Sequence, residues 1–394
     1  MERAEWRRLP PCPRARDEHS ARMTGPRYTP LVQTLPATVP FVGPEVQERE
    51  MGHTFRARLG ANESVFGPSP DAVEAMARES TQIWKYADAT NFDLKAALAQ
   101  KLGTTQKNLI IGEGIDGLLG YLVRLLVAPG DRVVTSDGAY PTFNYHVTGF
   151  GGGLVKVPYR SDHEDLPALI AKAVEVDAKM VYLANPDNPM GSWNTGAEIE
   201  AALDTMPEGV LLILDEAYIE FAPAEAVPQI APDDPRVIRL RTFSKGYGMA
   251  GARVGYGIGA VDLIRSFDKI RNHFGMNRAA QVGALAALQD QDWLQSVLTW
   301  VAESKARIAE IAVANGLTPL PSATNFVTVD CGRDGDFART VLHELVERGV
   351  FVRMPFVPPH DRCIRISAGT PADLDVLAEV LPQALAAANA DAAS

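Results

Sequence analysis

From about residue 68 onward the sequence alternates short β-rich runs with helical patterns, and that alternation commits a chain to a mostly parallel α/β layer. Apolar runs at Asn108–Ile111, Arg132–Ser136, Leu154–Val157, Met180–Ala184, Val210–Leu214, Val237–Arg241 and Val254–Ile258 read as strands. Little helix separates the last three, so part of that region is expected to pair antiparallel or to cross by loops. Ser69-Pro70 reads as an N-cap and first-turn proline opening a helix through Ser80. Residues 276–315 are almost all helix formers and read as one bridging helix. Beyond it a smaller α/β pattern follows, with strands at Asn325–Asp330 and Cys363–Ser367 and helices at Asp336–Arg348 and Pro371–Ala388. The expected fold class is therefore α/β: a large three-layer domain with a mostly parallel sheet (67–275), a smaller C-terminal α/β domain that includes the bridging helix (276–394), and an N-terminal arm (24–66). Prolines 26, 30, 36, 40 and 44 break any core helix in that arm and suit it to lie over another surface.

A chain of 394 residues is too long for one simple core, which agrees with two domains. Its net charge of −11 excludes a broad basic face for nucleic acid. The exception is residues 1–23, where Arg3, Arg7, Arg8, Arg14, Arg16 and Arg22 are largely offset by Glu2, Glu5, Asp17 and Glu18. This head is too acidic for a transit peptide and lacks the apolar stretch of a secretory signal. It reads as a disordered basic extension, or as an upstream start with Met23 the natural beginning. No run reaches the roughly 18 apolar residues of a membrane span; the best, Leu118 to Val127, is short and interrupted by Arg124. Cys12, Cys331 and Cys363 are too scattered for a disulfide framework or a zinc site, and the seven histidines lack metal-ligand spacing. A cytoplasmic protein without a metal is the expectation.

Two stretches match Gly-x-Gly-x-x-Gly: Gly112 to Gly117, and Gly246 to Gly251. The first follows a strand and opens a helix, with Asp137 at the end of the next strand, which is the context a nicotinamide-dependent oxidoreductase would show. It begins more than 100 residues into the chain, however, whereas that fingerprint usually opens its domain. The second runs directly into a strand and reads as a glycine-rich loop. A helix N-terminus binds any phosphate through its free N–H groups and its dipole, so Gly114-Ile115-Asp116-Gly117 suits a smaller phosphate ester equally well.

The chemistry concentrates in Thr242-Phe243-Ser244-Lys245, with Arg253 eight residues beyond the lysine. Alone, Lys245 would be read as a solvated surface residue. Its neighbours change that, because Thr242 and Ser244 can donate to a phosphate and Arg253 can neutralise it through two parallel hydrogen bonds. A cationic surround also depresses an amine's pKa, leaving it able to attack a carbonyl and carry an aldehyde cofactor as a Schiff base. Once a substrate amine displaces it, the same lysine can move a proton as base and then acid. Asp215 ends the run Gly209 to Leu214, at the carboxyl end of a buried strand where α/β sheets place ligands. There it would keep a pyridine nitrogen protonated, or, in the plainer reading, cap the next turn. Asn188, in Asn185-Pro186-Asp187-Asn188-Pro189-Met190-Gly191, and Tyr218, in Asp215-Glu216-Ala217-Tyr218, can hydrogen-bond a ring oxygen; singly they read as a turn former and a core tyrosine. Tyr140, in Gly138-Ala139-Tyr140-Pro141, either stacks on a cofactor or packs at a helix start.

Together these motifs resemble the fold-type I pyridoxal-phosphate aminotransferases, and within them most closely the histidinol-phosphate aminotransferase group, from about Leu35 to the C-terminus. The resemblance implies pyridoxal 5'-phosphate as cofactor, with 67–275 as the cofactor-binding domain. It gives Lys245 as the Schiff-base lysine, Asp215 as the ring-nitrogen partner, and Asn188 and Tyr218 as the ring-oxygen partners. Ile115, Asp116, Ser244 and Arg253, with Thr242, would bind phosphate, and Tyr140 would stack on the ring. Tyr86 would reach the cofactor phosphate of a neighbouring subunit, which implies a homodimer with shared active sites. Arg365, in Cys363-Ile364-Arg365-Ile366-Ser367, matches the family's anion-binding arginine; Arg353 matches a second arginine and Asn62 the arm's Asn-Glu motif.

The chain departs from the family mainly where substrate is selected. The arm reads Ala61-Asn62-Glu63-Ser64-Val65-Phe66-Gly67 rather than Asn-Glu-Asn-Pro-Tyr-Gly. Phe41 stands where a tyrosine is common, Met190 replaces a threonine, and Gly117 replaces an acidic residue. Transamination of histidinol phosphate or an aromatic amino acid, with a 2-oxo acid acceptor such as 2-oxoglutarate, is the implied activity. The nearest alternative is a pyridoxal-phosphate decarboxylase of a phosphorylated amino acid. A pyridoxal-phosphate sensor fused to a DNA-binding module would need a longer head than this one.

Overall fold

A computed structural model describes residues 25–37 and 42–391. The basic head and Phe41 lie outside the described residues. The stretch 25–37 is a unit of its own, holding one short helix, Pro30–Thr34, capped by Thr29.

Within 42–391 the strands in chain order are β1 (Ala57–Arg58), β2 (Leu109–Gly112), β3 (Arg132–Ser136), β4 (Gly153–Val157), β5 (Met180–Ala184), β6 (Leu211–Asp215), β7 (Val237–Thr242), β8 (Gly255–Gly259), β9 (Thr318–Pro319), β10 (Phe326–Asp330), β11 (Val350–Phe351) and β12 (Cys363–Ser367). Seven of them form one sheet in the order β2-β8-β7-β6-β5-β3-β4. All its pairings are parallel except those of β8, which runs antiparallel to both β7 and β2. The β7–β8 connection, residues 243–254, explains the exception, since it holds a glycine-rich loop and the single turn Ala250–Ala252 but no α-helix to carry a parallel crossover.

Side chains alternate across this sheet and build a helix layer on each face. Met180, Tyr182, Leu211, Ile213, Ile238 and Leu240 face the helices Gly114–Leu126 and Pro141–Gly149. Val181, Leu183, Leu212 and Leu214 face the helices Leu166–Glu175 and Gly196–Leu203. This is the expected three-layer arrangement. A second core lies around the antiparallel set β12-β10-β9 and the helices Gly335–Glu347 and Pro371–Asp391.

Two features differ from the sequence reading. The helix-rich span 276–315 holds two helices, Arg278–Gln289 and Gln291–Ala314, because Asp290 leaves helical geometry and its carboxylate caps the amide of Trp293. Residues 57–59, expected as arm, are built into the second core: β1 pairs parallel with β11, and Ala57 and Leu59 are buried there. That pairing joins segments nearly 300 residues apart, beyond the reach of local pattern. Among the described residues no helix is long and apolar enough to cross a membrane.

Candidate active site

The carboxyl ends of β5, β6 and β7 open on a cavity of about 510 Å³. Every residue proposed from the sequence to bind cofactor or substrate lines it except Tyr86. Tyr86 lies elsewhere, 81% exposed, its ring 4.9 Å from that of Phe274.

The helix Gly114–Leu126 begins without a side-chain cap for its first amides, and its first-turn residues Ile115 and Asp116 line the cavity. Arg253 closes against this helix start, with Nη2 3.5 Å from the Glu113 carbonyl and Nη1 donating to Ser244 Oγ at 3.3 Å. Residue 114 favours glycine: its φ is +78°, and a Cβ there would stand 2.3 Å from Arg253 Nη2 and displace that guanidinium. Gly255 of β8 is equally constrained, since its Cβ would meet the backbone of Gly114 and Ile115 at 2.6 Å. Thr242 serves the loop here, with Oγ1 accepting the Ser244 amide at 3.0 Å and lying 3.2 Å from the Val254 carbonyl. Asp116 is 3.1 Å from His146 Nε2, a partner the sequence reading missed.

Asp215 sits mid-cavity at the end of β6 and is 5% exposed. Burial pushes its carboxyl up to about 6, against the pull of the Tyr182 hydroxyl and the Ala217 amide, which donate to it at 2.8 and 3.0 Å. Lys245 follows β7 and donates from Nζ to the Asn62 carbonyl at 2.9 Å. Burial first, then the charges of Arg365 and Arg253, bring its amine down to about 8. Its Nζ stands 5.4 Å from the Tyr218 ring centroid. The Tyr218 hydroxyl accepts from Asn62 Nδ2 at 3.1 Å and Asn188 Nδ2 at 3.4 Å, and burial raises its pKa so that the phenol keeps its proton.

The far wall comes from the second core. Arg365 on β12 donates to Asn188 Oδ1 through Nη1 and to the Gly60 carbonyl at 3.3 Å through Nη2. Its Nε is buried without a protein partner, an orphan donor in a cavity wall, as an anion-binding group would be before its anion arrives. Burial, reinforced by nearby Arg353, lowers Arg365 to about 10. Arg353 lies directly across the backbone from Arg365, exchanging both main-chain hydrogen bonds with it, and its Nη2 donates to the Val42 carbonyl at 2.7 Å. Sequence reasoning also missed Ser367, whose hydroxyl lies 2.9 Å from Asn62 Oδ1, and Phe326, whose ring supports both Tyr218 and Arg365. Period-two alternation along β12 puts Ser367 on the face of Arg365 and was the available signal; nothing in the sequence marks Phe326.

These groups suit a phosphorylated pyridine aldehyde: glycine, helix start, Ser244 and Arg253 could take a phosphate, Asp215 offers a buried carboxylate, Lys245 an amine of lowered pKa, and Arg365 and Arg353 a cationic wall. Comparison with known proteins agrees. The family model for aminotransferase class I and II matches residues 57–381. The chain belongs to that family. It is a pyridoxal-phosphate-dependent aminotransferase of fold type I. A histidinol-phosphate aminotransferase from Moorella thermoacetica is 36% identical over 92% of this chain and 94% of its own length. The crystal structure of histidinol-phosphate aminotransferase from Sinorhizobium meliloti in complex with pyridoxal-5'-phosphate is 54% identical, superposes with a TM-score of 0.89, and covers 92% of this chain and 98% of that one. An aspartate aminotransferase from Thermus thermophilus shares the fold, with a TM-score of 0.76 at 22% identity over 91% of this chain and all of its own.

Proposed function

We propose that this enzyme transfers the amino group of L-histidinol phosphate to a 2-oxo acid such as 2-oxoglutarate. One observation carries the substrate reading: two arginines, Arg365 and Arg353, stand side by side on the wall of the cavity that also holds Lys245. Their paired charge suits a phosphate dianion in one half-reaction and a carboxylate in the other. The similarity to histidinol-phosphate aminotransferases supports the same assignment.

When bound, pyridoxal 5'-phosphate supplies a carbonyl for amine exchange and a ring that absorbs carbanion charge. Gly114 and the amides behind it, Ile115, Asp116, Ser244 and Arg253 hold its phosphate, with Thr242 bracing the loop. Asp215 holds the ring nitrogen, Tyr218 and Asn188 the ring oxygen, and Tyr140 covers a face. Asn62 holds the Tyr218 hydroxyl from the substrate side. The neutral amine of Lys245 takes the proton from the substrate's amine-bearing carbon and delivers it to the cofactor rather than back to that carbon, so that the donor can leave as a carbonyl product. Arg365 and Arg353 orient the substrate so that this C–H bond faces Nζ.

The working form is a homodimer in the cytoplasm. Ile83, Trp84, Tyr86 and Phe274 leave a largely exposed apolar patch, which a second copy of the chain would cover while Tyr86 reached its neighbour's phosphate. The two buried free thiols, Cys331 and Cys363, fit a reducing compartment. Steady-state rates test the substrate: kcat/KM for L-histidinol phosphate should exceed that for phenylalanine by about two orders of magnitude or more, because a buried cationic site left unpaired discriminates strongly. Equal or inverted values would assign an aromatic amino acid instead.

A further inference from the structure

Asp215 is held by a second residue that neither the motifs nor the fold family called attention to. Tyr182 lies on β5, the strand next to β6, and the parallel register sets it opposite Ile213 and Ala184 opposite Asp215. Tyr182 and Asp215 therefore share one face of the sheet, one two-residue repeat apart, about 7 Å along the strands. A tyrosine side chain spans that repeat. Its ring is fully buried and stacked on Phe143 of the helix Pro141–Gly149, with centroids 4.8 Å apart and planes 18° from parallel. Both the sheet and Phe143 thus fix the ring, and its hydroxyl ends 2.8 Å from Asp215 Oδ2 while the Ala217 amide holds Oδ1 at 3.0 Å.

We propose that Tyr182 is a positioning residue that fixes and keeps ionised the carboxylate of Asp215, so that this group meets the cofactor's ring nitrogen as an anion. A carboxylate has about four acceptor sites, so two donors from the chain still leave room for a ring N–H. In so enclosed a place an unassisted carboxylate would take up a proton near neutrality. A protonated Asp215 could not stabilise a protonated ring, and the ring would lose its capacity to absorb charge. The phenol is the donor throughout, because burial and the neighbouring carboxylate hold its own pKa well above the usual tyrosine value. Phenylalanine would keep the packing on Phe143 and remove only this hydrogen bond.

The inference rests on the reading of Asp215 as the ring-nitrogen partner, and the test separates the two. Holoenzymes carrying Tyr182→Phe, Asp215→Asn and both changes would be compared by kcat and KM, by ¹⁵N NMR of cofactor labelled at the ring nitrogen, and by equilibrium affinity for pyridoxal phosphate. Tyr182→Phe should lower kcat by about tenfold to a hundredfold, as expected for a lost hydrogen bond to a charged group. KM should change by far less, the ring-nitrogen signal should move toward the unprotonated form at pH 7, and higher pH should restore part of both, as Asp215 ionises again. In the Asp215→Asn background the Tyr182 change should add almost nothing. A native ring-nitrogen signal and native kcat in Tyr182→Phe, with Asp215→Asn impaired, would overturn the role of Tyr182 alone. A Tyr182→Phe loss that persists undiminished in the Asp215→Asn background would show that the hydroxyl does not act through Asp215 and would overturn the proposal. Unimpaired Asp215→Asn would instead remove the reading of Asp215 beneath it.

Discussion

The amine of Lys245 donates to a backbone carbonyl, that of Asn62, and burial with the charges of Arg365 and Arg253 outweighs the opposing pull of Glu63 and Asp215 to lower its pKa. Its neutral fraction rises with pH through about 8. The rate at which cofactor-free enzyme captures pyridoxal phosphate should therefore climb from pH 6.5 to about 9 and then level, because only the neutral amine attacks a carbonyl. A flat stopped-flow profile would contradict this. Lys245→Ala should lower turnover by about 10²–10⁴-fold or more and abolish the visible band of the holoenzyme. Arg365→Ala should raise KM for L-histidinol phosphate by about tenfold to a hundredfold while leaving cofactor binding intact, since a charge-assisted bidentate contact is lost from the substrate alone. An unchanged KM would count against the anion clamp. Lys245, Asp215, Asn188 and Arg253 were legible at this scale because each sits in a motif whose spacing has a chemical reason. Tyr182 was not, because an apolar run hides a hydroxyl that acts on the next strand.

The proposed phosphate cradle belongs to the scale of elements, being made by β2, the helix start after it and β8 pressed against that start. Gly114→Ala should test it. The substitution puts a side chain into left-handed backbone and into the space of Arg253, so affinity for pyridoxal phosphate should fall by about tenfold or more, with a stability cost of roughly 1–2 kcal/mol. Native affinity by equilibrium dialysis would show that Arg253 and the helix start act separately. The seven strands of the large sheet were legible within a residue or so, since buried parallel strands read as unbroken apolar runs. The two-residue strands β1, β9 and β11 were not, being too short to carry a period. The break at Asp290 was missed because an aspartate inside a helix-forming run gives no stronger local sign than a solvated charge.

At the scale of the molecule, the cavity joins two cores: Lys245 and Asp215 come from the seven-stranded sheet, Arg365 and Arg353 from the β12 side, and Asn62 from the segment that threads between them. Nothing local to residues 57–62 announced that threading, which rests on pairing with β11 and on the Ser367 hydroxyl. The exposed patch around Tyr86 extends the account to a pair of subunits. Mixing inactive Lys245→Ala and Tyr86→Ala proteins under exchange should restore about a quarter of native activity, since half of the dimers are then mixed and each keeps one intact site. No recovery in dimers shown to have exchanged would argue that Tyr86 serves its own chain. The measurement that tests the central claim most directly is the absorbance spectrum of the purified enzyme before and after L-histidinol phosphate is added with no acceptor present. A visible cofactor band that gives way to the near-ultraviolet band of the aminated cofactor, and returns with 2-oxoglutarate, is the predicted result. A band that persists with histidinol phosphate but yields to glutamate would contradict the assigned donor, and the absence of any such band after incubation with pyridoxal phosphate would contradict the site itself.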